Sequence, residues 1–274
     1  MTVDRYGVMG YPVAHSRSPV IHRLFAQQTG QELRYELLHV APEKLEEAVR
    51  QFQRTDGKGL NITVPHKRAV FRLVDHLSER ASAAGAVNTL TFRNNEIYGE
   101  NTDGIGLLRD LVVNVGLNME GANILILGAG GATRGIVGPL LEMQPRTLCI
   151  ANRTVARAED LVERFASRGS VSACGFDTIP LSEPYDLVIN ATSAIHSGEM
   201  PPYPEAAISP ATFCYDLAYS LHPTPFCKWA LEHGAASAVM GWGMLVEQAA
   251  ESFHIWRGVR PDTKPVLKQI AISA

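Results

Sequence analysis

The 274-residue chain is long enough for two domains, and its 46% hydrophobic and 19% charged residues describe a globular protein with sizeable cores. A net charge of −3 speaks against nucleic acid or an anionic membrane as partner, no basic-then-apolar leader occupies Met1–Pro12, and apolar runs such as Ile124–Leu127 are too short to cross a bilayer. Cys149, Cys174, Cys214 and Cys227 are widely spaced with no C-x-x-C pair, which predicts reduced thiols in a cytoplasmic protein and no zinc or other metal.

In chain order, Tyr6–Gly10 predicts a strand. Ser18-Pro19 predicts a helix start with Ser18 as N-cap, and Ile21, Leu24, Phe25 and the closing Gly30 complete that helix. Tyr35–Val40 predicts a second strand. Leu45, Ala48, Val49 and Phe52 give helical spacing within Pro42–Arg54, and Gly59–Val64 predicts a third strand. Strands separated by helices imply parallel pairing in an open α/β sheet. Asn88–Arg93 and Glu96–Glu100 predict a hairpin turning at Asn94-Asn95, two residues that tolerate positive φ. After Asp103-Gly104 the pattern restarts with a helix (Ile105–Val115), a strand (Asn123–Leu127), a glycine turn and a helix (Gly135–Glu142). Strands at Thr147–Ala151, Asp186–Asn190 and Cys214–Ala218 follow, then helices over Met244–Trp256 and Val266–Ile270. The expected architecture is therefore two α/β domains: 1–104, completed by 240–274, and a doubly wound Rossmann-like domain over 105–239.

The turn Gly128-Ala129-Gly130-Gly131-Ala132-Thr133 lies between a strand and a helix. Glycines there let backbone N–H groups approach a phosphate, which the helix dipole also favours. The fingerprint's third glycine is replaced by Thr133, so the helix–strand approach must differ from the commonest version. At the end of the next strand, an NAD-binding fold places a carboxylate for the ribose 2′-OH. This chain has Asn152-Arg153-Thr154 with Arg157 close behind, and a guanidinium suits a 2′-phosphate. Arg153 is assigned to that phosphate, Asn152 and Thr154 to neutral hydrogen bonds beside it. The cofactor should be NADP(H). The alternative is an arginine merely solvated at a helix start.

In the stretch NITVPHK, Asn61, Thr63 and Pro65 would share one strand face, and Lys67 would extend from the strand's carboxyl end, where open α/β sheets bind ligands. Ser16, Ser18, Asn88 and Asn101-Thr102-Asp103-Gly104 could converge there. Each has a plainer explanation: Ser18 and Asp103 as N-caps, Asn88 as a turn former, Lys67 as a surface charge. Together they suit a polyhydroxylated substrate next to a hydride carrier.

The combination resembles the shikimate dehydrogenase family, through GYPVAHSRSPVIH (10–22), NITVPHK (61–67), AVNT (86–89), NTDG (101–104), GAGGATR (128–134), NRT (152–154), NATS (190–193), DLAYSLHPTPF (216–226) and GMLVEQAA (243–250). The resemblance implies NADP-dependent interconversion of 3-dehydroshikimate and shikimate. Ser16, Ser18, Asn61, Thr63, Asn88, Asp103, Tyr219 and Gln248 would contact substrate, and Lys67 with Asp103 would form the catalytic pair. Gly128, Ala129, Gly130, Gly131 and Ala132 would hold the pyrophosphate, and Asn152, Arg153, Thr154 and Arg157 the 2′-phosphate. Thr192 and Ser193 would lie along the cofactor, with Gly241 and Met244 near the nicotinamide. Met240 and Trp242 depart from the family pattern. A small-molecule partner, no nucleic acid or membrane, and a monomer or homodimer are expected. Other readings are a broader quinate/shikimate dehydrogenase using NAD or NADP, and a non-catalytic NADP- or shikimate-sensing protein, which would have had no reason to keep Lys67 and Asp103.

Overall fold

A computed structural model describes residues 3–192 and 203–272. The chain folds as two units, one of Met1–Leu107 with Leu245–Ser273, the other of Leu108–Met244. Both divisions fall inside helices rather than at the glycines near 104 and 240.

The first unit opens with β1 (Asp4–Gly10), α1 (Ser18–Thr29), β2 (Leu33–His39), α2 (Leu45–Arg54) and β3 (Gly57–Ile62). A two-residue β4 (His76–Leu77), α3 (Glu79–Ala84) and the hairpin of β5 (Thr89–Arg93) and β6 (Glu96–Glu100) follow. The sheet order is β2-β1-β3-β5-β6-β4. Strand β1 runs parallel to β2 and β3, whereas β5 is antiparallel to both β3 and β6. The hairpin turns at Asn94 and Asn95, with φ of 52° and 64°, as their tolerance of the left-handed region predicts. Leu45, Val49 and Phe52 form one buried face of α2 against Leu60, Ile62, Leu90 and Ile97 of the sheet.

Two expectations need correction here. Ser18 is not the N-cap of α1: Arg17 holds that position without a side-chain bond, and Ser18 is the first helical residue. The third strand runs Gly57–Ile62 rather than to Val64. The Thr63 amide still reaches the Met9 carbonyl (2.9 Å), but the Thr63 carbonyl then accepts from the His66 amide (2.9 Å) and the chain turns.

Helix α4 (Asp103–Arg109) continues as a π-helical turn over Asp110–Val115. The second unit then builds β7 (Asn123–Leu127), α5 (Gly131–Glu142), β8 (Thr147–Ala151), α6 (Val155–Phe165), β9 (Val171–Cys174), β10 (Leu187–Asn190), β11 (Phe213–Asp216), α7 (Pro225–Glu232) and β12 (Ser237–Met240). Its strands pair in parallel, in the order β12-β11-β10-β7-β8-β9. Relabelled within the unit, this is 3-2-1-4-5-6 read from β9, the doubly wound order whose ligand crevice opens between its first and fourth strands. Those are β7 and β10. Two further helices follow, α8 (Trp242–Arg257) and α9 (Thr263–Ile272). No helix among the described residues is long and apolar enough to cross a membrane.

Candidate active site

In the first unit, Lys67 lies in the turn that follows β3. The turn is held by the His66 and Val70 amides and by the Val87 amide, which donates to the Lys67 carbonyl (2.9 Å). His66 is buried beneath it, its Nε2 2.8 Å from the Val40 carbonyl. Lys67 Nζ donates to Asp103 Oδ2 at 2.6 Å, with the two side chains 15% and 5% exposed. An ion pair so shielded is a fixed feature rather than a fluctuating surface contact.

Asp103 begins α4, where its amide donates to Asn101 Oδ1 (3.1 Å), and the helix N-terminus favours its negative charge. Its other carboxylate oxygen accepts from Asn88 Nδ2 (2.9 Å). Asn88 Oδ1 in turn accepts from the Thr102 amide (2.8 Å) and the Thr89 hydroxyl (2.9 Å), so the carboxamide has one orientation that satisfies all its neighbours. Gln248, half-buried on α8, brings Oε1 to 3.4 Å from Asn88 Nδ2.

Asn61 joins the same network through both ends of its carboxamide. Its Oδ1 accepts from the Tyr35 hydroxyl (2.7 Å), and its Nδ2 faces Asn88 O (3.3 Å), Thr89 Oγ1 (3.1 Å) and Ser252 Oγ (3.0 Å). Ser16 Oγ donates to Ser18 Oγ (3.2 Å) and accepts from the Ser18 amide (3.3 Å), forming a small hydroxyl pair before α1. Thr63 is half-buried, and its γ-methyl approaches Gly10 so closely that a Cβ there would lie 2.4 Å away.

The structure thus brings Lys67, Asp103, Asn88, Gln248 and Asn61 into one bonded network. Sequence reasoning missed the roles of Tyr35, Thr89 and Ser252 in it, and singled out Thr102 only as part of the stretch Asn101–Gly104. One signal was available: Ser252 is four residues after Gln248, on the same helical face, and its hydroxyl donates to the Gln248 carbonyl (3.1 Å).

In the second unit, Gly128 has φ 105° and a Cβ there would lie 3.0 Å from the Ala191 carbonyl, so glycine is required where β7 leaves the sheet beside β10. The turn's amides divide into two groups. Gly128 N–H donates to Ala151 O (2.7 Å) and Ala129 N–H to Asn152 Oδ1 (3.1 Å), while those of Gly130, Gly131 and Ala132 have no partner among the described residues. These three, at the start of α5, are free to meet an anion. Thr133, in the third-glycine position, is fully buried and donates its hydroxyl to Gly128 O (2.8 Å), closing the turn on itself.

Asn152 also donates to Thr154 O (2.8 Å), so its carboxamide braces the turn. Arg153, Thr154 and Arg157 are exposed, and neither guanidinium has a partner among the described residues. At the end of β10, Thr192 Oγ1 donates to Asn190 Oδ1 (2.8 Å), and Asn190 Nδ2 donates to Asp216 Oδ1 (3.0 Å). Burial pushes the Asp216 carboxyl up, against the hydrogen bonds it accepts from Thr224, Ala218 and Asn190. Tyr219 packs against Trp242 with ring centroids 4.6 Å apart. Gly241 is tightly placed, since a Cβ there would lie 2.5 Å from Leu217 O, and Met244 is buried. Ser193 lies outside the described residues.

A doubly wound unit with a glycine turn offering free amides, together with a unit carrying a shielded lysine–aspartate pair, defines a two-domain α/β protein of the dinucleotide-fold class. Comparison with known proteins narrows the class. Residues 8–90 match the "Shikimate dehydrogenase substrate binding domain", 110–207 "Shikimate / quinate 5-dehydrogenase", and 241–271 "Shikimate 5'-dehydrogenase C-terminal domain". The chain is 56% identical to the "Shikimate dehydrogenase (NADP(+))" of Alkalilimnicola ehrlichii, over 96% of this chain and 97% of that one. Among solved structures, it resembles an Ael1 enzyme from Pseudomonas putida (TM-score 0.89, 44% identity, 97% of each chain covered). It also resembles the shikimate 5-dehydrogenase of Thermus thermophilus solved with NADP(H) and shikimate (TM-score 0.86, 30% identity, 98% and 99% covered). The chain belongs to the shikimate dehydrogenase family.

Proposed function

We propose that this protein catalyses the reversible NADPH-dependent reduction of 3-dehydroshikimate to shikimate, on the shikimate pathway to chorismate and the aromatic amino acids, as a cytoplasmic monomer or homodimer. The observation that carries the reading is the shielded pair of Lys67 Nζ and Asp103 Oδ2, 2.6 Å apart, in a chain of this family.

The second unit's residues fit the cofactor. The amides of Gly130, Gly131 and Ala132 would receive the pyrophosphate, and the exposed Arg153, with Thr154 and Arg157, the 2′-phosphate. Asn152 and Ala129 would act indirectly, by holding the turn in shape. Thr192, Ser193, Gly241 and Met244 would line the remainder. Bound there, NADP(H) supplies or accepts the hydride.

The protein's own part is charge and proton management. Ammonium Lys67 stabilises the negative charge that grows on the C3 carbonyl oxygen and donates the proton that makes it a hydroxyl. In reverse, neutral Lys67 removes the hydroxyl proton. Asp103 holds Lys67 through one oxygen and is itself held by Asn88 through the other, leaving lone pairs on each for a substrate hydroxyl. Ser16, Ser18, Asn61, Thr63, Tyr219 and Gln248 would orient the substrate's carboxylate and hydroxyls.

The test is reduction of NADP⁺ followed by absorbance, with shikimate, beside parallel assays with NAD⁺ and with quinate. Strong activity confined to NADP⁺ and shikimate is expected. Comparable rates with NAD⁺ or quinate would move the protein to the broader quinate/shikimate class, and silence in every assay from folded, NADP-binding protein would remove the catalytic reading.

A further inference from the structure

Tyr215, on β11, is fully buried and lies outside the residues assigned to either ligand. Its hydroxyl donates to Asp110 Oδ2 at 2.6 Å and accepts from the Met244 amide at 3.2 Å. Burial pushes the Tyr215 hydroxyl well above the ordinary tyrosine range, with the Asp110 charge adding to the effect, so the phenol stays protonated and keeps its donor.

Met244 is in the first turn of α8, where helix amides have no partner within the helix. Tyr215 therefore supplies, from a neighbouring strand, the acceptor that a capping side chain would otherwise provide. Asp110 completes the arrangement. It is buried, its second carboxylate oxygen accepts from Asn114 Nδ2 (2.9 Å), and its charge lies against the positive end of α8. Gly243 makes the approach possible, because a Cβ there would fall 1.9 Å from Asp110 Oδ1. On the other side, Gly241 N–H donates to Ala218 O at 3.0 Å. The segment Gly241–Met244 is thus clamped on one side by Tyr215 with Asp110 and on the other by the loop after β11.

We infer that Tyr215, braced by Asp110, is a positioning residue that fixes the Gly241–Met244 turn against the nicotinamide end of the cofactor. The inference rests on the dinucleotide reading above. Tyr215 itself is too buried to touch a ligand, so its effect must pass through the turn it holds.

The experiment compares wild type with Tyr215→Phe by titration calorimetry with NADP⁺ and with adenosine 2′,5′-bisphosphate, a probe confined to the adenosine end, and by steady-state kinetics with shikimate. The expected result is Kd for NADP⁺ raised about fivefold and kcat lowered about tenfold, with the bisphosphate Kd and the KM for shikimate within twofold of wild type. Equal weakening of both nucleotides would overturn the inference as general damage to the unit, and unchanged NADP⁺ binding and kcat would overturn it outright. Should Tyr215→Phe not fold, Asp110→Asn, which keeps an acceptor for the phenol but removes the charge, must show the same split in smaller measure for the inference to stand. Wild type that binds neither nucleotide would refute the dinucleotide reading instead.

Discussion

Asp103 has no idle oxygen, and that shapes what mutations at the pair should do. One oxygen is held by Lys67 and the other by Asn88, whose carboxamide is fixed by Thr89 and Thr102. Removing the lysine leaves the carboxylate still held by Asn88, so in the proposed mechanism substrate recognition through Asp103 survives while the proton donor is lost. Lys67→Ala should therefore lower kcat by roughly 10²–10⁴-fold with KM for shikimate little changed. Steady-state kinetics checks this, and near-normal kcat would sink Lys67 as the acid. The pairing of Lys67 with Asp103 was legible only through the family resemblance of NITVPHK and NTDG, since taken singly Lys67 reads equally as a surface charge and Asp103 as an N-cap. The supporting shell was not. Nothing in the spacing of Tyr35, Asn61, Thr89 and Ser252 reveals that up to 191 residues of chain separate partners 3.0 Å apart. For the same reason the bonds by which Asn152 braces the glycine turn cannot be read from its place at a strand end.

At the scale of elements, legibility follows how local the determining chemistry is. The hairpin at Asn94-Asn95 and the strand–glycine turn–helix at β7 and α5 were readable because turn residues fix them within a few positions. Strands β9 and β12, four residues each and only partly buried, carry no alternation to read, and take their form from pairing with β8 and β11. The crossing of α4 with α8 is likewise invisible in sequence, yet it rests on one residue. A Cβ at Gly106 would lie 2.7 Å from both the backbone nitrogen and the Cβ of Gln248. Backbone cannot move aside as a flexible side chain does, so the helices would have to separate. Gly106→Ala should destabilise the protein by about 2 kcal/mol, as overpacking of a filled core does. Because Asp103 and Gln248 ride on the two helices, KM for shikimate should rise as well. Urea unfolding together with kinetics tests both parts; an unaltered midpoint and KM would show that the crossing has slack.

For the molecule as a whole, acid stability should depend in part on a histidine away from the Lys67–Asp103 pair. His22 is fully buried on α1, stacked on Tyr35 at 4.2 Å between ring centroids and flanked by Phe25, Phe253 and Trp256. Neither ring nitrogen has a hydrogen-bond partner among the described residues. Burial pushes its pKa down to about 3, against a smaller opposing pull from Asn61. In the unfolded chain the same imidazole titrates near pH 6.5, so between those two values the unfolded state binds a proton that the native state refuses. The contribution is complete above the unfolded pKa and is lost progressively as the pH falls toward about 3. Between about pH 7 and about pH 5 the loss should reach about 2 kcal/mol. A His22→Leu variant fills the aromatic cluster without a titrating group, and so should lose about 2 kcal/mol less than wild type over that interval. Chemical denaturation of both proteins at the two pH values measures the difference. Parallel losses would mean that native His22 takes up its proton, and that the cluster joining α1, β2 and α8 opens to water far more readily than its packing implies.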